Sequence, residues 1–138
     1  MNIYIVEDSI HIQTRLKRLV ELRPEFRVIG MSGDLVTANK SIFELASAQE
    51  EEKKLQVIIL DIHLSDGNSF GLLKLIKHEK PQIKVLIFSN HATEDNRLYA
   101  MRAGADCFLD KSNEFDQLPG VLQHWLKISD PTTPLKVR

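Results

Sequence analysis

Of five short apolar runs in this chain, four end on residues able to do chemistry. After Ile3 to Val6 come Glu7 and Asp8. After Leu55 to Leu60 comes Asp61. After Ile83 to Phe88 come Ser89 and Asn90, and after Cys107 to Leu109 come Asp110 and Lys111. Only the run Phe26 to Met31 ends without such a group. If the runs are neighbouring strands, three carboxylates, a hydroxyl and an ammonium converge on one edge. Carboxylates crowded together repel and resist desolvation, so a cation is expected among them. All-oxygen donors with room for water suit Mg²⁺. One carboxylate can then serve as nucleophile toward phosphorus, with the metal and the lysine neutralising the phosphoryl oxygens and the hydroxyl adding a contact.

The elements that must position these groups follow from the hydrophobic pattern. The five runs are apolar on consecutive positions, which suits strands buried on both faces of a parallel sheet. Between them lie helical stripes: Ile12, Leu16, Leu19 and Val20; Leu35, Ala38, Ile42 and Leu45; Leu72, Leu73 and Ile76; Leu98 and Met101; and Leu118, Leu122 and Leu126 with Trp125. Asp34 suits an N-cap, Ser65 to Asn68 a turn before the third helix, and Pro81 a break after it. Ala103-Gly104-Ala105 suits a helix stop, and Pro119 the first turn of the last helix, capped by Asn113 or Asp116. Glu50 to Lys54 reads as the solvated end of the second helix. Strict alternation of strand and helix predicts a doubly wound α/β fold, whose ligands bind outside the carboxyl ends of the strands.

Composition narrows the classes. The 138 residues carry 18 Lys and Arg against 19 Asp and Glu, a net charge of −1, which argues against a basic nucleic-acid binder. With 43% hydrophobic residues the core needs no metal or disulfide staple. Cys107 is the single cysteine, so no internal disulfide and no CxxC site exists, and it reads as a small buried residue. No apolar run reaches the roughly 18 residues of a membrane span, and the N-terminus has no signal-peptide pattern, so a cytoplasmic location is expected.

Taken together, the motifs resemble the receiver domain of the two-component response regulators. They are Ile3 to Ser9, Val57 to Gly67, Leu86 to Asn90 and Ala103 to Lys111, and the resemblance covers about residues 2 to 128. It implies a flavodoxin-like (βα)5 fold, a parallel sheet of order 2-1-3-4-5 with helices on both faces. It also implies that Asp61 is the phosphoacceptor and that Mg²⁺ is held by Asp8, Glu7, Asp61 and the backbone carbonyl of His63. Ser89 and Lys111 contact the phosphoryl group, and Phe108 is the aromatic whose rotamer follows Ser89. The implied donor is a sensor histidine kinase or a histidine phosphotransfer protein. The implied output is a downstream protein bound at the face of the fourth helix, fifth strand and fifth helix, with no direct contact to nucleic acid or membrane. The chain is not a conventional turnover enzyme on this reading. Ser65 and Ser112 stand where the family has proline, the second often after a cis bond, and Asn90 is bulkier than usual. His63 and His91 fall at variable rim positions and are expected to be exposed.

Residues 1–128 are thus read as the receiver unit and 129–138 as a tail, too short for an output domain. The alternatives are a receiver domain belonging to a longer regulator with a C-terminal DNA-binding output, and a phosphatase of the haloacid dehalogenase type. The phosphatase would need Asp-x-Asp, and Asp61-Ile62-His63 lacks the second carboxylate. A flavin-binding electron carrier on the same fold would place phosphate against Glu7 and Asp8, which would repel it. A scaffold that is never phosphorylated would have no use for the acidic set.

Overall fold

The computed structural model describes residues 1–129. The elements run β1 (Asn2–Val6), α1 (Ile10–Val20), β2 (Arg27–Ser32), α2 (Leu35–Ala46), β3 (Val57–Leu60), β4 (His63–Leu64), β5 (Gly67–Asn68), α3 (Phe70–Glu79), β6 (Lys84–Ser89), α4 (Glu94–Arg102), β7 (Cys107–Asp110) and α5 (Leu118–Ser129). Five strands form one parallel sheet of order β2-β1-β3-β6-β7. Once the small antiparallel hairpin β4-β5 is set aside, this is the predicted order 2-1-3-4-5. The predicted tail begins on the last residue of α5; residues 130–138 lie outside the described residues.

Alternate residues of each central strand feed two separate cores. Tyr4, Val6, Ile58, Leu60, Val85 and Ile87 pack with Ala38 and Ile42 of α2, Leu73 and Ile76 of α3, and Ala100 of α4. Ile3, Ile5, Val57, Ile59, Leu86 and Phe88 pack with Leu16 and Val20 of α1 and Leu118, Leu122 and Trp125 of α5. Both faces of the sheet are therefore covered, which is why the strands read as unbroken apolar runs. Among the described residues no helix is long and apolar enough to cross a membrane.

The exceptions have physical reasons. β2 is an edge strand and is mostly half-exposed, so its residues are not buried on both faces. Leu98 and Met101 are 49% and 47% exposed, and the buried residue of α4 is Ala100 on the opposite arc. The helix thus turns a small residue to the core and leaves its larger apolar residues outward. Glu50 to Lys54 does not extend α2. That helix closes at Ser47, whose N–H is bonded to Glu44 and Leu45 and whose hydroxyl donates to the Phe43 carbonyl; Glu51–Lys53 is a separate 3₁₀ turn. The last helix is entered through a 3₁₀ turn, Phe115–Gln117, and Asn113 donates to Asp110 instead of capping. Gly104, at φ +107°, makes the predicted stop before β7.

One close approach fixes β2 against β1. A Cβ on Gly30 would lie 2.5 Å from Cε2 and 2.8 Å from Cδ2 of Tyr4, whose ring is buried. Gly30→Ala is expected to cost about 1–3 kcal/mol through overpacking, read as a lowered midpoint in urea at unchanged slope. A midpoint equal to wild type would mean that the Tyr4 ring moves aside freely.

Candidate functional site

The sheet order reverses between β1 and β3, and the crevice at such a point opens at the carboxyl ends of the strands. Glu7 and Asp8 follow β1 there, and Asp61 follows β3. Asp61 donates its N–H to the Val6 carbonyl at 3.0 Å, and Glu7 donates its own to Ser32 at 2.9 Å, so the backbone fixes both positions. Carboxylate oxygens of Glu7, Asp8 and Asp61 lie within 4.8 Å of one another. Glu7 and Asp61 are buried and Asp8 is exposed. Ser9 caps α1 by accepting from Ile12, and its own N–H donates to Glu7 at 3.0 Å.

Lys111 reaches the same point from the end of β7. Its Nζ donates to Asp61 Oδ2 at 2.9 Å and to Glu7 Oε1, and its side chain is only 7% exposed. Burial alone would lower the lysine pKa, but the bonds to Glu7 and Asp61 outweigh it and hold the ammonium above its ordinary value. Burial pushes the Glu7 carboxyl up, and Lys111 pulls it part of the way back. The second oxygen of Asp61 accepts the N–H of Ile62 at 2.8 Å. One ammonium thus faces three carboxylates, an excess of negative charge that a divalent cation would balance. The donor set is all oxygen and one member is open to solvent, as a hard, partly hydrated cation requires.

Glu7, Asp8, Asp61, His63, Asn90, His91 and Lys111 line one cleft of about 400 Å³. His63 and His91 are exposed at its rim, as expected, and their rings meet edge to face with centroids 4.2 Å apart. The spacing in sequence gave no sign of that contact. Ser89 is buried at the end of β6, where its hydroxyl accepts the His91 N–H at 3.0 Å. Asn90 and Ser112, two of the departures noted above, meet: the serine hydroxyl donates to the Asn90 amide oxygen at 3.0 Å. The Lys111–Ser112 peptide is trans. Asp110 turns away to take the N–H of Ser112 and the amide of Asn113.

Phe108 is buried, and the guanidinium of Arg97 lies 4.9 Å from its ring centre. Arg97 also donates to the Phe108 carbonyl and, at 2.6 Å, to Glu114. The same Glu114 oxygen accepts the Asp110 N–H. This link from α4 to the segment after β7 was not read from the sequence, because a surface arginine and glutamate 17 positions apart carry no pattern. Cys107, expected to be buried, is half-buried against the core, and that burial pushes its thiol up.

A family model described as the response regulator receiver domain matches residues 3–123. The DNA-binding transcriptional activator DevR/DosR of Mycobacterium tuberculosis is 25% identical over 111 residues, spanning 80% of this chain and 48% of that protein. The transcriptional regulatory protein DegU of Brevibacillus brevis is 26% identical over 118 residues, spanning 86% and 47%. The chain thus spans about half the length of these curated relatives. The response regulator domain of Thermotoga maritima CheB superposes with a TM-score of 0.75 at 26% identity, covering 95% of this chain and 98% of that one.

Proposed function

The chain belongs to the response regulator receiver domain family, and from that premise we propose that it is a phosphoryl-accepting switch in which Asp61 takes the phosphoryl group and Mg²⁺ is the cofactor. The observation that carries this reading is the placement of Asp61. It is buried at the switch point of the sheet, bonded to Lys111 at 2.9 Å and gathered with Glu7 and Asp8.

The donor is a phosphohistidine on a sensor histidine kinase or a histidine phosphotransfer protein. A carboxylate oxygen of Asp61 forms the new bond to phosphorus as the bond to the imidazole nitrogen breaks. Glu7, Asp8, Asp61 and the His63 carbonyl would hold Mg²⁺, which when bound supplies charge neutralisation for the phosphoryl oxygens. Lys111 stays protonated and is free to follow a phosphoryl oxygen, and the fixed backbone of Asp61 keeps the nucleophile in line. The phosphoryl group carries about −1.5 to −2 charges, which replace the single carboxylate charge that Asp61 gives up on forming the acyl bond.

Ser89 then turns its hydroxyl from the His91 N–H to the phosphoryl group, and Phe108 shifts into the space released. That rearrangement loosens Arg97 and re-presents the face of α4, β7 and α5 to a downstream protein. Leu98 and Met101 of α4 are already exposed. A local charge event biasing a two-state element is the physical form of such a switch. Residues 1–128 make up the receiver unit, and a cytoplasmic site of action fits this role.

The test is incubation with acetyl phosphate, with and without Mg²⁺, read by intact mass. A single adduct that needs Mg²⁺ and is removed by hydroxylamine is expected, since an acyl phosphate reacts with that nucleophile. A hydroxylamine-resistant adduct would move the modification to a hydroxyl and overturn the assignment to Asp61.

A further inference from the structure

We propose that Asp66 is a positioning residue for the cation site, acting through the N-terminal turn of α2. The inference rests on the reading of the acidic cleft as a Mg²⁺ site. Asp66 lies at the tip of the β4-β5 hairpin, the segment that carries His63 directly after Asp61. Its two carboxylate oxygens accept the N–H groups of Leu35 at 2.8 Å and Val36 at 3.1 Å. These are the first two donors of α2, which no residue of that helix can satisfy. The third, Thr37, is taken by Asp34 at 2.7 Å. The helix therefore has a cap of its own, and Asp66 adds a tie to a hairpin about thirty residues away in sequence.

The other side of the same turn is seated on the acidic pair. Ser32 accepts the Glu7 N–H at 2.9 Å, and Gly33 lies beside the same backbone: a Cβ there would be in ordinary van der Waals contact, 3.4 Å from Asp8 Cα and 3.6 Å from the Glu7 carbonyl oxygen. Residues 32–36 thus form a brace. One end rests on Glu7 and Asp8, and the other holds the hairpin by its tip.

The hairpin needs such a brace. Its strands are two residues each, and Ser65 to Asn68 are exposed, so its own pairing holds it weakly. Mg²⁺ tolerates little departure from octahedral geometry. A hairpin released from α2 would let the His63 backbone drift relative to Glu7 and Asp8, while Asp61 itself stays anchored in the sheet.

Calorimetric titration of the metal-free protein with MgCl₂ tests this. Asp66→Ala is expected to weaken Mg²⁺ binding about 5- to 10-fold, at the low end of outer-shell effects on metal sites. Asp66→Asn, which keeps an acceptor oxygen, falls between. Asp106→Ala is the control: it lies before β7, away from the brace, and removes the acceptor of the Lys77 ammonium and the Val85 N–H, so it lowers the thermal midpoint yet leaves the Mg²⁺ midpoint at the wild-type value. The inference is overturned if Asp66→Ala and Asp66→Asn titrate as wild type does, or if Asp106→Ala weakens binding as much as Asp66→Ala. Wild-type protein that binds no Mg²⁺ would overturn the cofactor reading, and this inference with it.

Discussion

Asp61→Asn is expected to take up no phosphoryl group from acetyl phosphate under conditions where the wild type is modified, and yet to melt at a higher temperature without metal. The two halves have one cause. Glu7, Asp8 and Asp61 share a cleft with a single ammonium, so the metal-free site carries more negative charge than Lys111 can balance. Replacing one carboxylate with a neutral amide of the same shape relieves that repulsion. The amide oxygen can still accept the Ile62 N–H, and Lys111 keeps Glu7 as partner. A gain of about 1 kcal/mol would raise the midpoint by about 3–5 °C for a domain of this size. With Mg²⁺ present the order narrows or reverses, because the variant has lost a ligand and binding to the native state is what stabilises. Differential scanning calorimetry with EDTA and then with MgCl₂, beside intact mass after acetyl phosphate, reads both halves. A phosphoryl adduct persisting in Asp61→Asn would remove Asp61 as acceptor. A lower midpoint in EDTA would mean that the Lys111–Asp61 bond outweighs the crowding.

The crowding of charge at that edge follows from the order of residue types alone. A buried parallel strand must be apolar at every position, so the first polar residue after each run marks where the strand leaves the core. Glu7, Asp61 and Ser89 could be placed at one edge for that reason alone, and the runs around them fixed the sheet. Strand order was legible only through family resemblance, because alternation of strand and helix permits more than one doubly wound order. The contacts missed are those that loops make with one another and with helices. Asp66 on α2, His63 against His91, and Arg97 across to Glu114 join residues far apart in sequence with no periodicity to link them. α4 misled for a related reason: its nine residues include apolar side chains both inside and outside, and an i, i+3 pair marks a face without saying which way it looks.

Lys111→Met should show the opposite pattern from Asp61→Asn. Without the ammonium, Glu7 and Asp61 stand buried and close together with no counter-charge. Stranding a buried charge costs about 3–5 kcal/mol, and proton uptake by Glu7, whose carboxyl burial already pushes up, limits the loss here to about 2–3 kcal/mol. The metal-free variant should therefore melt about 6–15 °C below wild type. Mg²⁺ should recover much of that loss. In the wild type, Lys111 occupies Asp61 Oδ2 and Glu7 Oε1, so a cation entering the site must share those oxygens with an existing positive charge. Methionine removes both the competition and the repulsion, and the variant is expected to bind Mg²⁺ more tightly than wild type by calorimetric titration. Phosphorylation should nonetheless slow by about 10²-fold or more at saturating Mg²⁺, the cost of losing one preorganised donor to a developing phosphoryl charge. Tighter metal binding with slower chemistry is a combination that general damage to the fold does not produce. Weaker Mg²⁺ binding in Lys111→Met would show that the lysine supports the cation site and does not compete with it. An unchanged rate would take the ammonium out of phosphoryl transfer.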